Sequence, residues 1–398
     1  LNGLKNLKTN DLEESSVLLL ATLVVFLIGF WLHMPYSGGH IYSDIVSVYQ
    51  ARLGGFPPKA PYAETFFEYP VIVAALAYAS GLMASLLTKE YYTALFLYYI
   101  ITSAVLFFAT FLTILELVKL CDICGIKKKR IYAYFIITPS LLFMNLLNWY
   151  ILGVYFMVRA IRLSIEDRPV HSGTFFGLSA ASNFITAIPS IAVLITYGDF
   201  KRKMKFAIMG LTAYFLINLP AILSNPGNWL RFWEYHASWY VECNWQILLF
   251  DMFDPNARML SAALMSILII LPLIVLRKTS LQNHIKILLA SWLVIAWFLF
   301  ANYVYTPQMN MMLLPFFTLL SIAPYPLFML FDTLNSAIIV VGFSGFIQKV
   351  LGIKYTVEPW GINSPIQWIA IARSFLLLAF ALYSLYATFR KSSSNLVA

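Results

Sequence analysis

The sequence predicts an all-α polytopic membrane protein, a bundle of about eleven or twelve membrane passes with interfacial helices and broken half-helices. Three observations lead there. Of the 398 residues, 61% are hydrophobic, against roughly 45–50% in a soluble domain. Apolar runs such as Val17 to Pro35, Ala257 to Leu276 and Trp368 to Phe389 reach the ~20 residues that a helix needs to cross a bilayer. The net charge of +9 is largely gathered into short clusters between such runs: Lys127-Lys128-Lys129-Arg130, Lys201-Arg202-Lys203 with Lys205, Arg277-Lys278 and Arg390-Lys391. Clusters placed this way mark cytoplasmic loops, so the positive charge does not call for a nucleic-acid partner. No strand-like alternation suggests a β-barrel.

Taken in order, Val17 to Pro35 reads as a retained first helix that delivers a first external loop, Tyr36 to Pro70. The Lys127 cluster must lie inside, so Pro70 to Thr88 and Tyr91 to Leu120 cannot both be simple crossings. Pro70 to Thr88 is therefore expected to lie at the interface or to re-enter, with the full span at Tyr91 to Leu120. Ile131 to Leu163 and His171 to Phe200 are each too short for two complete crossings. The first should break at Asn145 to Tyr150, and the second at Ser182-Asn183, Thr186 and Pro189. Broken helices are tolerated in lipid only where protein or a polar cavity covers the freed backbone groups, so both breaks should line a cavity open to the outside.

Phe206 to Leu223 then leads out to a second, aromatic-rich external loop at residues 224–256. Ala257 to Leu276 returns, Lys286 to Tyr305 goes out, and Thr306-Pro307-Gln308 turns. Met309 to Ala323 and Leu327 to Phe346 are expected to form a hairpin, residues 347–367 a third external loop, and Trp368 to Phe389 the last span. All 398 residues belong to a single integral membrane domain, with no sequence repeat. Three cysteines give no disulfide framework, and the lone Cys121-x-x-Cys124 pair reads as ordinary cytoplasmic thiols.

The first loop holds Asp44, Arg52, Lys59, Glu64 and Glu68 in a chain that is only 11% charged. Tyr42, Ile45, Tyr49 and Leu53 have helical spacing, which sets an amphipathic helix on the membrane with Asp44 near its start. Asp44 is then either a helix N-cap or a catalytic carboxylate. In Phe67-Glu68-Tyr69-Pro70 the proline opens a helix, and Glu68 and Tyr69 are either site residues or an interfacial charge and belt aromatic.

At these residues the chain resembles the GT-C glycosyltransferases that use a polyprenyl-phosphate sugar, above all the polyprenol-phosphate-mannose-dependent mannosyltransferases of glycosyltransferase family 87. The likeness rests on an Asp after the first helix, then Pro-Tyr and Phe-x-Tyr-Pro, Asn148-Trp149, Gly177 to Asn183, Phe232 to Glu242, and Thr306-Pro307-Gln308. It covers roughly Tyr36 to Pro326. The resemblance implies a GT-C-type bundle and an inverting hexosyl transfer with Asp44 as general base. The donor would be a polyprenyl-phosphate sugar and the acceptor a lipid-linked or cell-surface glycan, in the cell membrane with an extracytoplasmic active site.

No cofactor is implied beyond the lipid-linked donor as co-substrate. No metal is implied either, because Asp44 has no D-x-D partner. Two positions depart from the family's pattern: Tyr150 stands where it has Asp, and Asn183 where it has Lys. Arg373, inside the last helix, is either a replacement for that cation or a snorkelling residue. His236, Glu242, Gln308, Arg52 and Glu64 complete the expected substrate-binding set with Glu68, Tyr69, Asn183 and Arg373. The rivals are a lipid or solute transporter on the same broken helices and a noncatalytic glycan-binding relative.

Overall fold

The computed structural model describes residues 9–36, 41–277, 279, 281–344, 349, 352 and 361–390. Among these, isolated backbone bridges take the place of strands and helices do the rest. The N-terminal half contains α1 (Thr9–His33), α2 (Asp44–Val48), α3 (Val71–Leu87), α4 (Tyr91–Cys124), α5 (Lys129–Ile131), α6 (Pro139–Met144), α7 (Tyr150–Ile165) and α8 (Pro169–Ser182). The C-terminal half contains α9 (Ser190–Thr196), α10 (Phe200–Ser224), α11 (Pro226–Ala237), α12 (Pro255–Arg277), α13 (Asn283–Ala301), α14 (Leu314–Leu319), α15 (Tyr325–Phe343) and α16 (Pro365–Arg390).

Among the described residues seven helices are long and apolar enough to cross a membrane: α1, α4, α10, α12, α13, α15 and α16. This makes the chain a multi-pass membrane protein. The central helix is α13, with 83% of its apolar window buried, against 17% for α10 and 22% for α12. Phe200, Leu223 and Met259 on those two helices are at least 70% exposed. Apolar bands of that extent need lipid rather than water.

Local chemistry sets the boundaries. Glu90 accepts from the backbone N–H groups of Tyr92 and Thr93 to start α4, and Gly125, at φ +69°, closes it in the left-handed conformation that glycine adopts without strain. Thr138 caps α6 ahead of Pro139. The expected breaks occur where polar residues interrupt apolar runs. α6 stops at Met144 and α7 begins at Tyr150; α8 stops at Ser182, and Asn183 caps a 3₁₀ turn, Phe184–Ala187, before α9.

The two ends of the bundle differ in charge. α7 runs from Tyr150, beside the first loop, to Arg162, whose guanidinium binds Glu116 near the end of α4 and Glu166. Arg202 pairs with Asp167 at 2.8 Å on this end, and Arg130 donates to the carbonyls of Phe317, Thr318 and Leu320 at the end of α14. The loop carrying Asp44 is at the other end. The start and the middle of α3 also meet this loop: Tyr69, just before the helix, packs on Trp149, and Gly81 faces Tyr49, which in turn meets Tyr91.

One expectation changes. Met309 to Ala323 is not a membrane-length helix but a 3₁₀ turn, Pro307–Met312, followed by the six-residue α14. Pro307, Pro315 and Pro324 break the run, and its side chains are buried in protein. Among the described residues the bundle consists of seven long helices with shorter and broken segments between them. Most of the expected third loop, 347–367, falls outside the described residues.

α8 and α10 cross in close contact at glycines. A Cβ on Gly177 would lie 2.3 Å from the Gly210 carbonyl oxygen, whereas one on Gly198 would meet nothing within 4 Å. Gly177→Val is expected to cost about 1–3 kcal/mol through overpacking, lowering the thermal unfolding midpoint in detergent, while Gly198→Ala leaves it nearly unchanged. Equal midpoints for the two would contradict the close crossing.

Candidate active site

Asp44 is placed by the strand-like segment that leads into α2. The Ile41 N–H donates to Leu32 O (3.0 Å), the Tyr42 N–H to Phe343 O (3.1 Å) and the Asp44 N–H to Leu147 O (2.8 Å). Ser43 Oγ donates to Leu146 O at 2.9 Å. Buried His33 stands between Tyr42 O and Phe143 O, at 2.8 and 2.9 Å from its two ring nitrogens. Ser43, in extended conformation, holds the N-cap position of α2, so Asp44 is the first helical residue and its carboxylate is not spent on the cap. That carboxylate accepts from Asn148 Nδ2 at 3.3 Å and from the hydroxyls of Tyr42 and Tyr69. Burial raises the Asp44 carboxyl above the ordinary carboxylate range, and the three donors bring it part of the way back.

A cavity of about 650 Å³ opens around this carboxylate. Both helix breaks line it, the first through Leu147, Asn148 and Tyr150, the second through Asn183, Phe184 and Ile185. Six of the expected site residues join Asp44 in the lining: Glu68, Tyr69, Asn183, His236, Glu242 and Gln308. They come from chain segments up to 264 positions apart, brought together by two structural devices.

The first device is α11, which starts at Asn225 with Pro226 at its first turn. It is tied to the first loop by Asn228 Nδ2 donating to Tyr62 O at 2.7 Å. Near its end, His236 Nδ1 lies 2.8 Å from Phe232 O, which places the proton on Nδ1 and leaves Nε2 as an acceptor. Partial burial moves the His236 pKa below the ordinary imidazole value, which favours the neutral ring. A neutral imidazole with a free acceptor nitrogen suits a sugar hydroxyl better than a phosphate.

The second device is a two-stranded clamp. The Glu242 N–H donates to Tyr303 O (3.1 Å) and the Tyr305 N–H to Glu242 O (2.9 Å), so Glu242 and Thr306-Pro307-Gln308 enter the cavity side by side. Arg373 binds the clamp from behind. It is fully buried and donates to Cys243 O (2.6 Å), Tyr305 O (2.5 Å) and Asn335 Oδ1 (2.6 Å), with its guanidinium 3.5 Å from the centre of the Tyr305 ring. Asn335 continues through Ser140 Oγ to Asn310, which binds Asp332 at 2.8 Å. Arg373 thus neither snorkels nor lines the cavity; its chemistry is directed at main-chain carbonyls.

Burial, less the hydrogen bond from Trp239 Nε1 (2.6 Å), pushes the Glu242 carboxyl up to about 7. Because the folded state binds this proton more tightly than the unfolded chain does, the associated stability is present below about pH 4.5. It is lost as pH rises through about 7. Glu242→Gln removes that loss, so its unfolding midpoint should gain on the wild type between pH 5 and 8. A constant difference over that range would contradict the shift.

Two further expected residues lie beside the cavity rather than in its lining. Arg52 Nε donates to Glu68 Oε2 at 2.8 Å, and Glu64 accepts from the Ala60 N–H at 2.7 Å within its own loop. The lining also includes Trp239 and residues to which the sequence reading gave no site role, notably Tyr42, Tyr235, Tyr240 and Tyr303. Trp239 and Tyr240 stack at 5.0 Å. Only Tyr42 carried a local signal, its position two residues before Asp44.

No protein family matches this chain, and no curated protein matches it. Among solved structures it is similar to the crystal structure of the Archaeoglobus fulgidus oligosaccharyltransferase in the apo form, with a TM-score of 0.39 and 12% identity. That match covers 93% of this chain and 55% of the other, so the chain spans about half the length of the solved structure.

Proposed function

We propose that this protein is a GT-C-type membrane glycosyltransferase that transfers a hexose, with mannose as the first candidate, from a polyprenyl-phosphate carrier. The acceptor is a lipid-linked or cell-surface glycan at the extracytoplasmic face of the cell membrane. The observation that carries this reading is the placement of Asp44. Its half-buried carboxylate, ringed by Tyr42, Tyr69 and Asn148, faces a cavity on the end of the bundle opposite Arg130, Arg162 and Arg202.

In the proposed step an acceptor hydroxyl attacks the anomeric carbon. The new carbon–oxygen bond forms as the bond to the phosphate oxygen breaks, polyprenyl phosphate leaves, and Asp44 takes the hydroxyl proton. The phosphate is a good leaving group, so no general acid is required. A single carboxylate then suffices, and the anomeric configuration inverts. His236 Nε2 is available to accept from a sugar hydroxyl, and Trp239 and Tyr240 offer stacking faces. A transporter would carry its charged groups near the middle of the bundle; here Asp44, Glu68 and Glu242 gather at one end.

The test is transfer itself. Purified protein incubated with labelled polyprenyl-phospho-mannose and a membrane lipid extract should yield a labelled glycolipid. A set of polyprenyl-phospho-hexoses none of which donates would overturn the proposal.

A further inference from the structure

Among the described residues no lysine or arginine lines the cavity, although the donor that it is proposed to take carries a phosphate. Asn183 presents a neutral amide whose Oδ1 accepts from the Ile185 N–H. Two cations gather around one aromatic ring that packs on the lining. Arg52 lies 5.4 Å from the centre of the Phe66 ring and Arg231, from α11, lies 5.2 Å from it. Phe66 packs on Tyr235 at 5.3 Å, and Tyr235 lines the cavity.

The two guanidinium groups have different partners. Arg52 is paired with Glu68. Arg231 is exposed, and among the described residues no hydrogen bond or ion pair engages its guanidinium; Glu234, one turn further along α11, does not reach it. Two guanidinium groups held to one ring repel each other, and one carboxylate neutralises only one of them. Their planar forks suit the oxygens of a phosphate. The bond from Asn228 to Tyr62 O fixes α11 against the first loop, so the pair is held in place by two chain segments rather than by one mobile loop.

We propose that Arg231, with Arg52 beside it, binds the phosphate of the lipid-linked donor at the rim of the cavity. This rests on the polyprenyl-phosphate reading above. The sugar then reaches inward toward Asp44 and His236, and the lipid chain extends away from the rim.

Binding tests this without turnover. Full-length protein in phosphatidylcholine nanodiscs is titrated with polyprenyl phosphate and, separately, with uncharged polyprenol, following the fluorescence of the tryptophans on and after α11. The wild type should bind the phosphate at least tenfold more tightly than the alcohol, with competition by excess inorganic phosphate. Arg231→Ala should lose most of that preference, Arg231→Lys should recover part of it, and Asp44→Asn should keep it.

If the wild type shows no preference for the phosphate, the donor assignment itself fails. If the preference is present and survives Arg231→Ala, this inference fails and the donor assignment stands. Loss of wild-type binding when phosphatidylglycerol replaces phosphatidylcholine would show that the rim takes bulk anionic headgroups, and would overturn the donor-specific site.

Discussion

Asp44→Asn is expected to lower kcat by roughly 10²–10⁴-fold, the usual contribution of a positioned general base. The amide keeps the size of the carboxylate and its neighbours Tyr42, Tyr69 and Asn148, but it cannot take the acceptor proton. Affinity for polyprenyl phosphate should change little, so the loss falls on kcat. The wild-type pH profile provides a second readout. In the proposed step the ionised carboxylate takes the proton, and burial raises its pKa, so kcat/KM should climb with pH through a midpoint above the ~3.9 of a free Asp. Full activity in Asp44→Asn, or a midpoint at the free value, would contradict the role.

Arg373→Met should be the most destabilising single change outside the cavity, by about 3 kcal/mol or more. It removes three hydrogen bonds to a buried guanidinium and leaves Asn335 Oδ1 and the carbonyls of Cys243 and Tyr305 without donors. The network also contains the carboxylate of Asp332, so deleting the cation leaves a buried anion with less compensation. Arg373→Lys keeps the charge but cannot serve both strands of the clamp through a planar fork, and should fall between the two. The measurement is the unfolding midpoint of purified protein in detergent. A midpoint for Arg373→Met within a degree of the wild type would show that the clamp holds without its cation.

Long apolar helices were legible because hydropathy is a local property. Val17 to Pro35 and Trp368 to Phe389 were located to within a few residues of α1 and α16, apart from an unforeseen N-terminal extension of α1 to Thr9. The breaks were legible for a related reason, since Asn148 and Asn183 interrupt apolar runs that must then find a polar cavity. Met309 to Ala323 was misjudged because hydropathy does not distinguish burial in lipid from burial in protein, and its prolines were given too little weight.

Contacts between distant segments left no local trace. The carbonyl partners of Arg373 lie 130 and 68 residues away in sequence, so its position inside the last helix suggested a ligand contact or snorkelling rather than a clamp. Arg231 was passed over because its setting depends on Phe66, on a different loop. Asp44 was read as either a cap or a base, and the structure gives the cap position to Ser43.

The central claim is that the cavity at Asp44 moves a sugar by single displacement from a polyprenyl phosphate. The most direct test is the anomeric configuration of the product formed by purified protein from a donor of defined configuration, determined by nuclear magnetic resonance. The account predicts a product of opposite configuration, formed by the wild type and lost in Asp44→Asn. Retention of configuration would contradict it.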